Sequence, residues 1–404
     1  MEFKTLEELA FINPDSIRSD SHLGEIEYID IQSVGSGYLI ESKLIPISKA
    51  PSRARRLVKK GDTILSTVRP NRRSFLYIKE TKDNLIVSTG FAVLRPKNGT
   101  DSKYLYYAIT EPKFTEYLTL YAKGAAYPAV DTEIIKKAKI PFYPFETQRK
   151  IAAILSAYDD LIENNTRRIQ ILEEMTQRIY QEWFVNFRFP GHEKVKFIDS
   201  ELGKIPEGWE VSTLENIAEL VKNKFVEAKH NNLPLLDLAR IPRRSLVLNE
   251  FGKNDEIKTS RIVFKDDEIL FGAIRPYFHK VIIAPCDGVT NTSVFVIRNK
   301  DGIGKYFLFS LLFSDETVAW TTQYASGTKM PVISWEVFKK MKVIIPQREI
   351  VENFELSVGK IFTLIKILNL QNIVLRTTRD LLLPKLISGE LDVSNLDITV
   401  KNGI

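Results

Sequence analysis

The sequence predicts an α+β chain of two similar mixed α/β halves. Each half runs into one long helix, and the two helices pair as an antiparallel coiled coil about a pseudo-twofold internal repeat. Three observations predict this: ordered self-similarity at an offset near half the chain length, a sustained heptad spacing after each mixed region, and a connector rich in Pro, Gly and charge between the halves. Thr5-Leu6-Glu7-Glu8-Leu9-Ala10 returns as Thr213-Leu214-Glu215-Asn216-Ile217-Ala218, and Ile29-Asp30-Ile31 as Leu236-Asp237-Leu238. Gly61-Asp62-Thr63-Ile64-Leu65 with Arg69-Pro70 returns as Asp266-Asp267-Glu268-Ile269-Leu270 with Arg275-Pro276. Ser88–Arg95 matches Asn291–Arg298, Lys123-Gly124 with Pro128 matches Ser326-Gly327 with Pro331, and Gln148–Ile151 matches Gln347–Ile350. The matches keep their order while the offset drifts from 208 to 199, which is the mark of a duplication.

In the first mixed region, residues 1–145, short apolar runs such as Thr63–Leu65 and Phe91–Leu94 alternate with Gly, Pro, Asn and Asp. This reads as short strands and loops, with helices near Ser102–Thr110 and Pro112–Leu120. From Gln148 the pattern changes. Ile151, Tyr158, Asn165, Leu172 and Ile179 are spaced by seven, as are Leu155, Ile162, Ile169, Thr176 and Trp183, with no Pro or Gly between Glu146 and Asn186. A 3.5-residue period over five heptads predicts a coiled coil, with Asn165 as a register-setting polar position. The second copy spaces Phe354, Ile361, Leu368, Leu375 and Leu382 by seven, with a companion row of Val358 and Ile365 that Asn372 and Arg379 interrupt. Either helix would be roughly 50 Å long and needs a partner for its apolar stripe, its duplicate being the nearest available. The expected divisions are a mixed domain (1–145), a long helix (146–188), a connector (189–208), a second mixed domain (209–346), a second long helix (347–387) and a C-terminal tail (388–404). A pseudo-twofold arrangement would hold the two mixed domains at opposite ends of a rigid spacer.

Composition narrows the function classes. At 404 residues, 44% hydrophobic and 27% charged, the chain is globular, has room for two or three domains and is not mainly disordered. The net charge of +6 and pI near 9.0 suit an anionic partner, and the charge divides almost evenly between the halves. A single cysteine, Cys286, excludes an internal disulfide, and His22, His192, His230 and His279 have no ligand spacing, so no metal site is expected. No signal-peptide run opens the chain and no 18 uninterrupted apolar residues occur, so a cytoplasmic protein without membrane contact is expected. Gly35-Ser36-Gly37 could be a glycine turn for a cofactor such as S-adenosylmethionine. Its counterpart Ala239-Arg240-Ile241-Pro242 has no glycine, which favours a plain hairpin turn. There is no Walker-type phosphate loop, no Asn-Pro-Pro-Tyr motif for amino-methylation and no Gly-x-Ser-x-Gly elbow.

Basic and aromatic clusters carry more. Arg53, Arg55, Arg56, Lys59, Lys60, Arg69, Arg72 and Arg73 stand in 21 residues against only Asp62. Such a cluster neutralises phosphates, and Arg or Asn, here including Asn71, can also read base edges. The bland alternative is a solvated loop. The matched segment of the second half is Arg275-Pro276-Tyr277-Phe278-His279-Lys280, joined by Arg240, Arg243 and Arg244. Lys123-Gly124-Ala125-Ala126-Tyr127-Pro128 and Ser326-Gly327-Thr328-Lys329-Met330-Pro331 form a second pair, offering Lys123, Tyr127 and Lys329. Equivalent loops with different side chains suit a reader of two different sequences.

With these residues in view, the chain resembles the specificity subunit of type I restriction-modification enzymes. The resemblance rests on Gly61–Leu65, Ser88–Phe91 with Leu94-Arg95-Pro96, Pro144 with Gln148–Ile151, Ile205-Pro206-Glu207-Gly208-Trp209 opening the second half, and Arg379–Leu391 closing the chain. The first half has no such opening and starts directly at Phe3-Lys4-Thr5-Leu6. The resemblance implies a non-catalytic reader of double-stranded DNA whose two target recognition domains each take one part of a bipartite asymmetric site, with the helices setting the gap. Two methyltransferase subunits would dock on the helices, restriction/translocase subunits would complete the assembly, and S-adenosylmethionine, ATP and Mg would sit on those partners. Two other classes stand beside it: a coiled-coil scaffold that reads no DNA, and a nuclease or methyltransferase with an unrecognised site.

Overall fold

The computed structural model describes residues 2–17, 24–257 and 260–398. His22 lies outside them, as do residues 399–404 of the expected tail. The chain divides into two compact units, Met1–Asp160 with Thr377–Ile404, and Leu161–Arg376. The division runs through both long helices, so each unit takes a mixed body and a segment of each helix.

In the first unit the strand Thr63–Ser66 lies inside an antiparallel sheet with Ala10–Ile12, Phe91–Pro96 and Phe75–Tyr77. All four residues of Thr63–Ser66 are buried, as a central strand requires. A second sheet orders Lys43–Pro46, Glu25–Ile29, Leu85–Ser88 and Ala54–Leu57, with Glu25–Ile29 and Leu85–Ser88 parallel. Glu2–Thr5 pairs with Lys139–Phe142 and brings the start of the chain to the foot of the central helix. Helices Ser102–Thr110 and Pro112–Tyr121 fall where the sequence places them, the first capped by the Asp101 carboxylate on Tyr104 N–H.

The second unit repeats this plan. Ala218–Leu220, Val294–Asn299, Ile269–Gly272 and Val281–Ile283 form a sheet of the same order, and Glu210–Thr213 pairs with Lys342–Ile345. Helices Lys305–Phe313 and Asp315–Gln323 stand for the earlier pair. Even an ion pair to a buried carboxylate is duplicated: Asp62 with Arg95 at 2.8 Å, and Glu268 with Arg298. The counterparts of strands Glu25–Ile29 and Lys43–Pro46 are absent from the described residues here, and an irregular segment follows Leu236 instead. The expected connector carries a hairpin, Phe197–Ser200 with Gly203–Pro206.

The central helix runs Phe145–Tyr180 and continues through a π turn at Gln181–Val185; the C-terminal helix runs Arg348–Ile387. Gln148, fully buried, fastens the first to its body, accepting from Asp101 N–H at 2.9 Å and donating to Tyr143 O at 2.8 Å. In both units the helix segments run antiparallel. In the second, Asn165 bonds Asn372 while Trp183 meets Phe354. In the first, Asp159 bonds Arg379 while Tyr143 Oη reaches Ile387 O.

The seam corrects two expectations. Ile151, Leu155, Ile162, Asn165, Ile169, Phe354 and Leu368 are buried, but Tyr158, Leu172, Ile361, Leu375 and Leu382 are only half-buried. Glu173, Tyr180 and Phe184, each one residue beyond a row position, are buried instead, because a straight helix of 3.6 residues per turn drifts by about 20° per heptad. Asn372 and Arg379 do not interrupt the companion row. With Val358, Ile365 and Leu386 they are its polar members: Asn372 accepts from Asn165 Nδ2 at 3.1 Å, and Arg379 donates to Asp159 at 2.5 Å while Tyr107 Oη donates to the other oxygen at 2.6 Å. The C-terminal helix is apolar enough to pass as a membrane span by length and composition; its Val358, Phe362, Ile365 and Leu368 pack in the core of the second unit, and Leu383, Leu386 and Ile387 in that of the first.

Candidate nucleic-acid interface

In each body one turn leaves the inner strand of the four-stranded sheet. In the first it is Arg69–Arg73, between strands Thr63–Ser66 and Phe75–Tyr77; in the second it is Arg275–His279, between Ile269–Gly272 and Val281–Ile283. Both are single 3-10 turns with a proline at the first position and a left-handed residue at either end. Arg69 and Arg73 have φ of 50° and 54°, Arg275 and His279 of 51° and 50°. A side chain in this region costs on the order of 1 kcal/mol and persists only where its surroundings hold it. They do so here in the same way twice. Arg69 N–H donates to Pro128 O at 2.7 Å and Arg275 N–H to Pro331 O at 2.7 Å. The Arg69 guanidinium donates to Ala126 O at 2.8 Å and that of Arg275 to Lys329 O at 3.1 Å.

At the far end of each turn a side chain meets the last carbonyl of a helix, one of the groups that a helix leaves unpaired. Arg73 donates to Thr110 O at 2.7 Å, and His279 Nε2 lies 2.8 Å from Phe313 O. Clamped at both ends, the turns leave two residues between proline and clamp. Asn71 and Arg72 are exposed in the first; in the second, Tyr277 is exposed and Phe278 half-buried beneath the Arg243 guanidinium at 3.9 Å.

The second predicted loop of each half is the neighbour that holds the turn. Lys123 and Ala129 exchange backbone bonds of 2.9 Å, as Ser326 and Val332 do at 3.0 and 2.8 Å. Gly124 (φ 110°) and Gly327 (φ 102°) close these loops where a Cβ would press on Tyr127 O and Met330 O. Lys123, Tyr127 and Lys329 are exposed, and Arg69 lies 4.6 Å from the centre of the Tyr127 ring.

A third segment reaches the same turn, and sequence reasoning saw only half of it. Ser36 Oγ donates to Arg73 O at 2.8 Å, and Arg244 N–H to His279 O at 2.7 Å. In the second body this brings in the expected Arg243 and Arg244, both exposed. In the first it brings in exposed Tyr38, Leu39 and Ile40, carried on the Gly35–Gly37 turn that Gly35 N–H closes on Tyr38 O at 3.0 Å. The repeated motif Ile29–Ile31 and Leu236–Leu238 just upstream was the signal that could have found them. Arg53 and Arg55, exposed at the start of strand Ala54–Leu57, join the cluster through the 88–90 corner. Thr89 N–H bonds Arg53 O, and Thr67 N–H bonds Gly90 O next to the turn.

Four expected contact residues point inward. Arg56 bonds Asn13 and Phe91 O, Arg73 and His279 cap helices, and Lys280 Nζ donates to Leu238 O and Ile241 O. Burial lowers the pKa of all four, the opposite of what a phosphate-facing cation would need. Among the described residues no group of three His, Cys, Asp or Glu is placed to hold a metal.

Two equivalent clusters of loops with different exposed side chains suit a chain with two specificities, and comparison with known proteins shows the family. Residues 1–174 and again 206–368 match the type I restriction modification DNA specificity domain. The chain belongs to this family. A similar relative is the type I restriction enzyme MjaIX specificity subunit of Methanocaldococcus jannaschii, 28% identical over 375 residues covering 84% of this chain and 80% of the relative. Another is the HindI specificity subunit of Haemophilus influenzae, 24% identical over 91% of this chain and 94% of that one. The crystal structure of the type I restriction-modification S subunit from M. genitalium shares the fold with a TM-score of 0.55 at 14% identity, over 96% of both chains. As a type I specificity subunit this chain is the non-catalytic component that supplies DNA sequence specificity.

Proposed function

We propose that each body of this specificity subunit reads one part of a bipartite asymmetric site in double-stranded DNA through its own loop cluster. Asn71, Arg72, Lys123 and Tyr127, with Arg53 and Arg55, face the DNA in the first; Tyr277, Arg243, Arg244 and Lys329 do so in the second. The observation that carries this is the pair of equivalently clamped turns whose exposed residues differ, Asn71 and Arg72 against Tyr277. Arg and Asn offer bidentate donors to base edges, while Lys and the strand-edge arginines supply sequence-independent attraction to phosphate.

The long helices set the gap between half-sites and carry two methyltransferase subunits, with restriction/translocase subunits completing the assembly. Exposed Leu161, Ile171 and Met175 on the central helix, and Leu356, Ile367 and Val374 on the C-terminal one, support this, since apolar residues spread along a helix surface suit a protein partner. S-adenosylmethionine, ATP and magnesium belong to those partners, and the assembly works in the cytoplasm. Base-resolved methylation mapping of cells expressing this chain with its methyltransferase tests the reading. It predicts a two-part motif with an unspecified gap, and no methylation or cleavage by the purified chain alone. A motif without a gap, or catalysis by the chain alone, would overturn it.

A further inference from the structure

We infer that Arg69 and Arg275, the arginines expected to touch DNA, are instead positioning residues: each is a latch that makes one rigid reading surface out of two loops of its own body. The inference rests on the DNA-reading role proposed above and assigns work within it. The two bodies have diverged at nearly every exposed position of these loops, yet they keep the arginine, its left-handed backbone and both of its bonds. The backbone N–H goes to the proline carbonyl of the neighbouring loop (Pro128, Pro331), and the guanidinium goes to a carbonyl two residues before that proline (Ala126, Lys329). Arg275 Nε is buried from solvent, and neither arginine is among the fully exposed cations of its cluster. A reader of two different half-sites has no reason to keep the same side chain in the same pose twice. A latch has, because the carbonyls it grips belong to the backbone and do not change with the sequence read.

The latch explains how the exposed residues can vary freely. Asn71 and Arg72 ride on the latched turn, and Lys123 and Tyr127 on the loop it grips, so their relative placement does not depend on their own identities. Loss of a direct contact relaxes the one base pair it reads. Loss of a latch moves several readers at once.

Two measurements on the full-length chain test this. In hydrogen exchange of the protein without DNA, Arg69→Ala is expected to speed exchange of the amides of Lys123 and Ala129 at least tenfold, whereas Asn71→Ala leaves them unchanged. In methylation mapping with the methyltransferase partner, Arg69→Ala is expected to relax several positions of one half-site and leave the other half-site intact, with Arg275→Ala doing the reverse. Arg69→Lys, which keeps the charge but not the planar fork, is expected to behave as Arg69→Ala and serves where the alanine variant folds poorly. Relaxation at a single base pair would make Arg69 a direct reader and overturn the latch. So would unchanged exchange, or a motif unaltered in every position. A wild-type chain that yields no two-part motif would instead sink the reading role, and the exchange result would still decide the latch.

Discussion

Glu173 is a carboxyl group held far from its ordinary state. It lies on the buried side of the central helix, where burial pushes its carboxyl up to about 7 although Leu246 N–H, Ser245 Oγ and Gln177 Nε2 all donate to it. In the folded chain it stays protonated to near neutrality, while the unfolded chain releases that proton near 4.5. Its contribution to stability is therefore complete below about pH 4.5 and is lost as pH rises to 7, by on the order of 3 kcal/mol. Glu173→Gln is expected to remove this slope and to raise the unfolding midpoint relative to the parent at pH 8 but not at pH 4.5. Parallel midpoint-against-pH curves for the two proteins would contradict it. Asn165 poses a different problem, because its amide N–H is the donor to the Asn372 Oδ1 in a buried seam, while the Asn372 amide N–H goes to Ile162 O and Thr166 Oγ1. Asn165→Ala is expected to cost about 1–3 kcal/mol in denaturant unfolding by stranding Asn372, and Asn165→Leu with Asn372→Leu to recover most of that loss.

Among elements, the helices were legible from sequence in extent and the loops in position, but their partners were not. The heptad count located the central helix because apolar period is a local property. Asn372 and Arg379 looked like interruptions because the residues that satisfy them, Asn165 and Asp159, lie more than 200 positions away and only the fold brings them together. Arg73 and His279 looked like contacts for the same reason: the helix carbonyls they cap are invisible in a string of cations. The segment around Tyr38 was missed because its role comes from bonds to distant backbone, Ser36 Oγ to Arg73 O and Gly37 N–H to Phe75 O, and the repeated motif just upstream is the one trace of it in the sequence. Helix length makes its own prediction. Four residues inserted after Asn165, matched by four before Asn372 so that the asparagine pair is kept, lengthen the pair by about 6 Å and turn it by about 40°. At 3.4 Å per base pair the unspecified gap in the methylated motif is expected to grow by about two. An unchanged gap would show that the helices do not set it.

At the scale of the whole molecule the duplication explains the rest. Sheet order, edge strands, capped helices, the Asp62–Arg95 and Glu268–Arg298 pairs and the clamped turns all occur twice. Self-comparison of the sequence found this because buried and turn-forming residues resist change. It could not say which exposed side chains read DNA, since those are the positions free to differ. The copies depart most where the first has strands Glu25–Ile29 and Lys43–Pro46 and the second has an irregular segment. That departure lies beside the third loop of each cluster and gives the two readers different surfaces. The claim that each half is an independent reader is tested most directly by exchanging residues 1–145 for those of a relative with a different target, then mapping methylation with the same methyltransferase partner. The account predicts a motif in which one half-site is replaced by the donor's and the other half-site is unchanged. A motif unchanged in both parts, or altered in both, would contradict it.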